Sequence, residues 1–527
     1  MAQLVQDSIA RTPDRVAVGV AGGGMRLTYQ QLGELAYNLA RQLEGALPPA
    51  TGPVALYCDN CPEFVVGLLA AWTTGATVVP VDPQLTAPEI GARLAAAGAR
   101  GVLVPEHLRD SYPADAVTVP AWGLGIGAGG ADIAMTGMTP RSGTGPADPS
   151  PAAHDAATAA PSGHALLLFT AGSTGTPKVV PLSHANLAAS VAGIRSVYQL
   201  GPGDATLLVM PLFHGHGLIG GLLATLASGG AAYLPASGRF SAHAFWDEIA
   251  QAEATWYTAV PTIHQILLAR APADYPASNP PSLRFIRSCS AALAPAVLHR
   301  MEEQFGAPVI PAYGMTETAH QAASNPLPED GACKGASVGL PSGLHIRVIN
   351  STGQQTGAGE IGEICVRGPA LTSGYLDDAD ATAAAFSGGW FRTGDLGYLD
   401  SAGYLFLTGR SKDMINRGGE KIAPHTVETV LLSQSAVQDA LAFAVPDPKY
   451  GEEINAAVIL RPGQYVTEAD LQQYCRAQLS AFEIPKKIYF LDRFPRTAKG
   501  DGDRRALATA LTHATFAGRP AESPENQ

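Results

Sequence analysis

Leu167-Leu168-Phe169-Thr170-Ala171-Gly172-Ser173-Thr174-Gly175-Thr176-Pro177-Lys178 runs an apolar strand straight into a loop of small and hydroxylated residues closed by a lysine. Small side chains let backbone N–H groups approach an anion, hydroxyls add further donors, and lysine brings a compact positive charge. The stretch reads as a phosphate cradle, although its spacing is not the GxxxxGK[ST] of a Walker loop. A strand feeding such a loop belongs to an α/β sheet, and the flanking sequence agrees. Upstream, residues 28–32 open a helix, Val54–Tyr57 and Val78–Val81 are short apolar strands, and 64–72 and 90–97 carry helical periodicity. Downstream, the alternation resumes at Ala165 and continues to about Ile310. Alternation of this kind gives parallel sheets covered by helices.

The pattern then changes. Between 337 and 407 short strands with glycine turns, such as His345–Ile349 and 363–367, favour an antiparallel subdomain. After Gly409 come two helices, near Pro424–Ser433 and 468–479, and strands near 440–445 and 456–460, which read as a small α+β domain. The expected fold class is therefore α/β: a large N-terminal domain of parallel αβ sheets plus a β subdomain, with a small mobile α+β C-terminal domain. The expected boundaries are 1–408 for the large domain, 409–412 for a hinge, 413–515 for the small domain and 516–527 for a disordered tail. Residues 123–163, rich in Gly, Ala, Pro, Ser and Thr, read as a flexible surface insertion.

The 527 residues are 46% apolar and 15% charged, enough to bury a large core and too many for a single one. A net charge of −12 without a basic tail argues against nucleic-acid binding, which needs clustered cations. Six cysteines in a chain of this size make no disulfide framework, and the CxxC at Cys58–Cys61 has no second pair to complete a metal site. No cationic segment followed by an apolar one marks a secretory signal at the start, so the expected location is the cytoplasm. Residues 205–238 contain no charged side chain, which meets the crude length test for a membrane span. Pro211, Pro235, two histidines and seven glycines make them read instead as buried strand, turn and helix.

Three further motifs follow in order: Tyr313-Gly314-Met315-Thr316-Glu317-Thr318, Gly389-Trp390-Phe391-Arg392-Thr393-Gly394-Asp395 and Gly409-Arg410-Ser411-Lys412-Asp413. With the loop at 170–178 they resemble the adenylate-forming superfamily of acyl-CoA synthetases, luciferases and peptide-synthetase adenylation domains. The resemblance implies conversion of a carboxylic acid and ATP into an acyl-adenylate and pyrophosphate, then attack by the thiol of coenzyme A. In it, Thr170, Ser173, Thr174, Gly175 and Lys178 hold the β- and γ-phosphates. Thr316 contacts the α-phosphate, and Glu317 binds Mg2+, which prefers hard oxygen ligands beside phosphates. Tyr313 stacks on adenine, Asp395 accepts hydrogen bonds from the ribose hydroxyls, and Arg410 adds a donor nearby. Lys412 marks the hinge, and Gly418-Gly419 approach the pantetheine arm of CoA. Read alone, Glu317 is a surface acid, Asp395 a turn residue and Gly418-Gly419 a hairpin turn. The partners implied are a small carboxylic acid, ATP and CoA, with the protein a monomer or homodimer and no membrane span.

Several segments resemble the oxalate–CoA ligase branch: Pro211-Leu212-Phe213-His214-Gly215-His216-Gly217-Leu218, Ala259-Val260-Pro261-Thr262-Ile263-His264, Arg287-Ser288-Cys289-Ser290-Ala291-Ala292-Leu293, and Thr318-Ala319-His320-Gln321. Oxalate is a small dianion whose second carboxylate needs donors, and His214, Ser290 and His320 are the expected ones. The alternatives are a ligase for a short, medium-chain or aromatic acid and a degenerate nucleotide-binding homologue. The last is raised by Pro495-Arg496-Thr497-Ala498-Lys499-Gly500-Asp501, which puts Asp501 where the family carries the lysine that bridges carboxylate and α-phosphate. Lys499, two residues earlier, reaches that place if the loop slips by about 7 Å.

Overall fold

Two large sheets carry the N-terminal body of the computed structural model, which describes residues 1–47, 52–115, 117, 119–138, 163–170, 178–276, 278–496 and 502–512. The first has seven strands in the spatial order Ile133–Met138, Ala121–Ile126, Gly101–Pro105, Val54–Tyr57, Val78–Val81, His164–Thr170 and Lys178–Ser183. Its interior pairs are parallel and its outermost pairs antiparallel. The interior strands are apolar throughout, because helices cover both faces and leave no solvated side. Helix Pro62–Thr73 is one such cover, with residues 64–72 all buried. Its Trp72 Nε1 donates to Ala165 O at 2.9 Å.

The second sheet has nine strands, with Ala205–Leu207, Ala231–Leu234, Trp256–Ala259, Phe285–Ser288 and Val309–Tyr313 running parallel. An early strand also joins it: Val16–Val20 pairs parallel to Ala231–Leu234 across more than two hundred residues of sequence. The first 138 residues therefore contribute to both sheets. The charge-free stretch 205–238 folds as expected. It supplies two of these strands, with a π-type segment His216–Leu223 and helix Ala224–Ser228 between them, and both helical pieces are fully buried.

One expectation needs correcting. The supposed surface insertion at 123–163 begins as ordered sheet: Ala121–Ile126 and Ile133–Met138 form an antiparallel pair at the edge of the seven-stranded sheet. Gln42 fixes the pair from the adjoining helix, donating to Ile133 O and accepting from Met135 N, both at 3.0 Å. Small side chains such as Gly123, Gly125 and Gly137 suggested a linker, yet an edge hairpin needs few large apolar residues. Residues 139–162, and the tail expected at 516–527, lie outside the described residues.

The antiparallel subdomain appears as a five-stranded sheet built from His345–Ile349, Gly362–Arg367, Phe386–Ser387, Trp390–Leu399 and Leu405–Arg410. The last segment forms its own five-stranded sheet, in which the long strand Gly451–Leu460 pairs with Ile415–Arg417, Val437–Asp447 and Ile488–Phe490. Helix Pro424–Ser433 backs Val437–Asp447 and lies against helix Pro295–Phe305 of the large body. Val427 and Leu431 share one apolar cluster with Val297 and Leu298 there. Arg496 Nη1 donates to Thr262 Oγ1 at 3.2 Å, a second tie between the two parts.

Candidate active site

The site is built at the carboxyl ends of parallel strands, where open α/β sheets place their ligands. Thr170 ends one strand and Lys178 begins the next, and the two face each other as antiparallel partners across the mouth of the cradle loop. Ser173, Thr174 and Gly175, inside that loop, lie outside the described residues. The returning strand passes into helix His184–Val197 through a capping box. Ser183 Oγ accepts from Asn186 N at 3.1 Å, and Ser183 N donates to Asn186 Oδ1 at 2.9 Å.

Strand Val309–Tyr313 ends in a single 3-10 turn, Thr316–Thr318, that packs against this hairpin. Glu317 is 9% exposed, and its Oε1 accepts from the Tyr375 hydroxyl at 2.9 Å. The Lys178 ammonium sits 4.5 Å from the centre of the same Tyr375 ring. Tyr375 thus gathers the loop's lysine and the acid into one small volume. Burial, and then the Glu317 charge, push its phenol up, so it stays a donor. Sequence reasoning missed Tyr375; its position in Ser373-Gly374-Tyr375, just before the last helix of the subdomain, was the available signal. Glu317 suits Mg2+ by its donor type, a carboxylate oxygen that shares Tyr375 with the Lys178 ammonium.

Tyr313, Asp395 and Arg410 also come together. The Tyr313 hydroxyl donates to Asp395 Oδ2 at 2.6 Å, and Arg410 Nε donates to Asp395 Oδ1 at 2.9 Å. Asp395 is 5% exposed, and its backbone N–H donates to Thr393 Oγ1. Antiparallel pairing sets the arrangement, since Asp395 and Arg410 are direct partners on adjacent strands. A buried carboxylate needs such donors. Burial first and Asp395 second push the Tyr313 phenol well up.

The third cluster lies beyond the turn. Ala319 and His320 both have left-handed backbones, at φ 47° and 85°, as does Ser290 at φ 73°. Three non-glycine residues in that region are costly, of order 1–3 kcal/mol each, and such strain concentrates at functional sites. His320 stacks on His216 with ring centres 5.0 Å apart, and His216 Nδ1 lies 2.9 Å from Ser290 Oγ. His320 Nε2 is buried without a hydrogen-bond partner. It occupies space that only glycine leaves free, since a Cβ on Gly220 would stand 2.5 Å from it. Burial, then the charge of Arg287, hold the His320 imidazole well below its ordinary range. Burial, then His320 and Arg287, do the same to His216. His214 is placed differently from its neighbour: it is half-buried at the turn, packed edge-on to Phe213. His216, two residues on, is the histidine that reaches Ser290. In His214-Gly215-His216 the sequence gives both residues alike; only the start of the buried helical segment at His216 tells them apart.

Asn60 steadies the approach to this cluster. Its Nδ2 donates to Leu208 O and Met210 O at 2.7 and 3.0 Å, and its Oδ1 accepts from Leu212 N at 2.9 Å. On the C-terminal side, Lys412 sits in the 3-10 turn Ser411–Asp413 that joins the two parts of the chain. Gly418 and Gly419, at φ 61° and 102°, form the turn of the hairpin Ile415–Arg417 and Glu420–Ile422. Lys499 and Asp501 lie outside the described residues.

Comparison with known proteins agrees with this geometry. Residues 5–376 match the AMP-binding enzyme family, and residues 426–501 match the AMP-binding enzyme C-terminal domain. The chain is 44% identical over 512 residues to an oxalate–CoA ligase of Arabidopsis thaliana, covering 96% of this chain and 97% of that one. It is 36% identical over 527 residues to a sulfoacetate–CoA ligase of Cupriavidus necator, covering 98% of each. Among solved structures, ATP-bound MatB from Rhodopseudomonas palustris superposes with a TM-score of 0.81 at 26% identity, over 98% of this chain and 100% of that chain. The cradle mouth, the Tyr375-held acid, the Asp395 cluster and these matches together establish that the chain belongs to the AMP-binding, adenylate-forming enzymes.

Proposed function

We propose that this enzyme, an acid–CoA ligase using ATP, Mg2+ and CoA, takes oxalate as its acid and releases oxalyl-CoA, AMP and pyrophosphate. One observation carries the choice of acid: the cluster beyond Glu317 is polar and strained, built from His320, His216 and Ser290, with the Arg287 guanidinium behind them. An acyl tunnel for a fatty acid needs apolar lining there. The similarity to an oxalate–CoA ligase supports the same reading.

In this reading an oxygen of one oxalate carboxylate attacks the α-phosphorus, and the bond to the bridging oxygen breaks as pyrophosphate leaves. Thr170, Ser173, Thr174, Gly175 and Lys178 hold the β- and γ-phosphates, while Thr316 donates to the α-phosphate. Glu317, oriented by Tyr375, holds the metal. Bound there, Mg2+ screens phosphate charge that would otherwise repel the incoming carboxylate. Asp395 takes the ribose hydroxyls beside Arg410, and Tyr313 flanks the adenine. His320, Ser290 and the half-buried His214 face the distal carboxylate, with His216 behind Ser290. In the second step the CoA sulfur attacks the acyl carbon, the acyl–phosphate C–O bond breaks, AMP leaves and the thiol proton passes to solvent. The small domain turns about Lys412 to bring Gly418 and Gly419 beside the pantetheine arm. The six free cysteines, five of them buried, suit a reducing compartment, so we place the enzyme in the cytoplasm. No described helix is long and apolar enough to cross a membrane.

ATP–pyrophosphate exchange with oxalate, butyrate and benzoate tests the substrate. Oxalate is expected to drive exchange and the other two to fail; turnover with apolar acids alone overturns the assignment.

A further inference from the structure

Arg287 is fully buried, and among the described residues no carboxylate pairs with it. Three of its bonds go to neutral oxygens, and the Cys289 side chain lies within reach as a further partner. Nε donates to the Tyr198 hydroxyl at 2.9 Å, Nη1 to Thr258 Oγ1 at 3.0 Å and Nη2 to Gln321 Oε1 at 2.9 Å. The partners are themselves tied to neutral groups. The Tyr198 hydroxyl meets Ser324 Oγ at 2.7 Å, and Gln321 Nε2 donates to Ser342 Oγ at 2.9 Å. A guanidinium cannot give up its proton in a protein, so the interior carries a positive charge that no described carboxylate balances, although the Tyr198 phenol and the Cys289 thiol favour it. Such burial is costly unless an anion completes it.

The route from this charge to the acid pocket is continuous. Thr258 Oγ1, which accepts from Arg287, lies 2.6 Å from His216 Nε2, and His216 Nδ1 lies 2.9 Å from Ser290 Oγ. His216 is neutral, for the reasons given above, so one ring nitrogen donates and the other accepts. Arginine can only donate, and it occupies one lone pair of Thr258. The arrangement in which the Thr258 hydroxyl then donates to His216 Nε2 leaves Nδ1–H to donate to Ser290. The Ser290 proton is thereby released toward the pocket, where Ser290 is exposed.

Resting on the oxalate reading above, we propose that Arg287 and Thr258 are positioning residues for the acid: through His216 they commit the Ser290 hydroxyl to donate, and Arg287 supplies the countercharge that selects a dianion. Neither residue touches the acid. The opposite arrangement, with His216 Nε2–H donating to Thr258, spends the Ser290 proton on Nδ1 and leaves two lone pairs facing a carboxylate.

The test compares oxalate with oxamate, its isostere in which one carboxylate is a neutral amide, using kcat/KM for pyrophosphate release. Thr258→Val keeps shape and removes the hydroxyl. It is expected to raise the oxalate KM roughly 10-fold while the ATP KM holds, and Thr258→Ser is expected to restore it. Arg287→Met is expected to lower the oxalate-to-oxamate ratio roughly 10- to 100-fold. Equal losses for both acids in both variants, or failure of Thr258→Ser to rescue, overturn the proposal. Should Arg287→Met fail to fold, the Thr258 pair decides alone. A wild-type enzyme that does not activate oxalate overturns the substrate reading and this inference together. A wild type that prefers oxalate, with a ratio unmoved by the variants, overturns only the inference.

Discussion

Glu317 is accessible to a test that keeps its packing. Glu317→Gln preserves an acceptor for the Tyr375 hydroxyl but removes the charge, so adenylate formation is expected to fall roughly 10²–10³-fold, read by ATP–pyrophosphate exchange. A drop of less than 10-fold, with an unchanged Mg2+ requirement, would show that the acid does not hold the metal. Asp501 poses the opposite case, a negative charge proposed to stand where two anions must meet. Asp501→Lys is expected to speed adenylation and to leave CoA attack on supplied oxalyl-adenylate nearly unchanged. Lys499→Ala checks whether the neighbouring lysine already fills that role; adenylation that survives intact removes it. At this scale the sequence showed what a local motif can show. Thr170 and Lys178 were nameable from the chemistry of their own loop, whereas Thr316, Glu317, Asp395 and Arg410 were nameable only because their short motifs resemble a known family's; read alone, Glu317 is a surface acid and Asp395 a turn residue. Tyr375, Thr258 and Arg287 were not nameable, because their roles exist only where strands remote in sequence converge. His216 was passed over for His214 for the same reason.

The hairpin carrying Gly418 and Gly419 is the element whose proposed role can be separated from adenylation. Gly418 has φ 61°, and a Cβ there would stand 3.0 Å from the Tyr450 ring. Gly418→Ala therefore costs roughly 1 kcal/mol of backbone strain and tilts the turn. Thioester formation is expected to slow while ATP–pyrophosphate exchange stays at the wild-type rate; a matched fall in both would deny the turn a place beside CoA. Elements were also the scale at which the sequence read best. Val54–Tyr57, Val78–Val81 and Pro424–Ser433 stand at their expected places because apolar runs and N1 prolines are strong local signals. The edge pair Ala121–Ile126 and Ile133–Met138 escaped detection, since its glycines mimic a linker and its pairing depends on Gln42 from another element.

Across the whole molecule, buried imidazoles set an acid limit. Burial lowers His216 and His320 well below their ordinary range and lowers His264 to about 3. Between the folded and unfolded values the unfolded chain binds protons that the folded one refuses, so stability is full above about pH 6.5 and declines as pH falls. Each such histidine contributes about 1.4 kcal/mol per pH unit in its window. Asp439, raised by burial to about 6, acts with the opposite sign and offsets one of the three. Urea midpoints are expected to drop between pH 7.5 and pH 5, with a shallower drop in His264→Gln; a constant midpoint would refute the account. The sequence could count these histidines but not their burial. The strand Val16–Val20 has a last consequence, because it threads the opening residues into the nine-stranded sheet while their neighbours build the seven-stranded one. The Met1 amino group even donates to His184 O at 3.1 Å. A protease site inserted between residues 139 and 162 should therefore yield two fragments that co-elute and still activate the acid after cleavage, whereas either fragment expressed alone should aggregate. Scission would leave an interwoven pair, not two liberated halves.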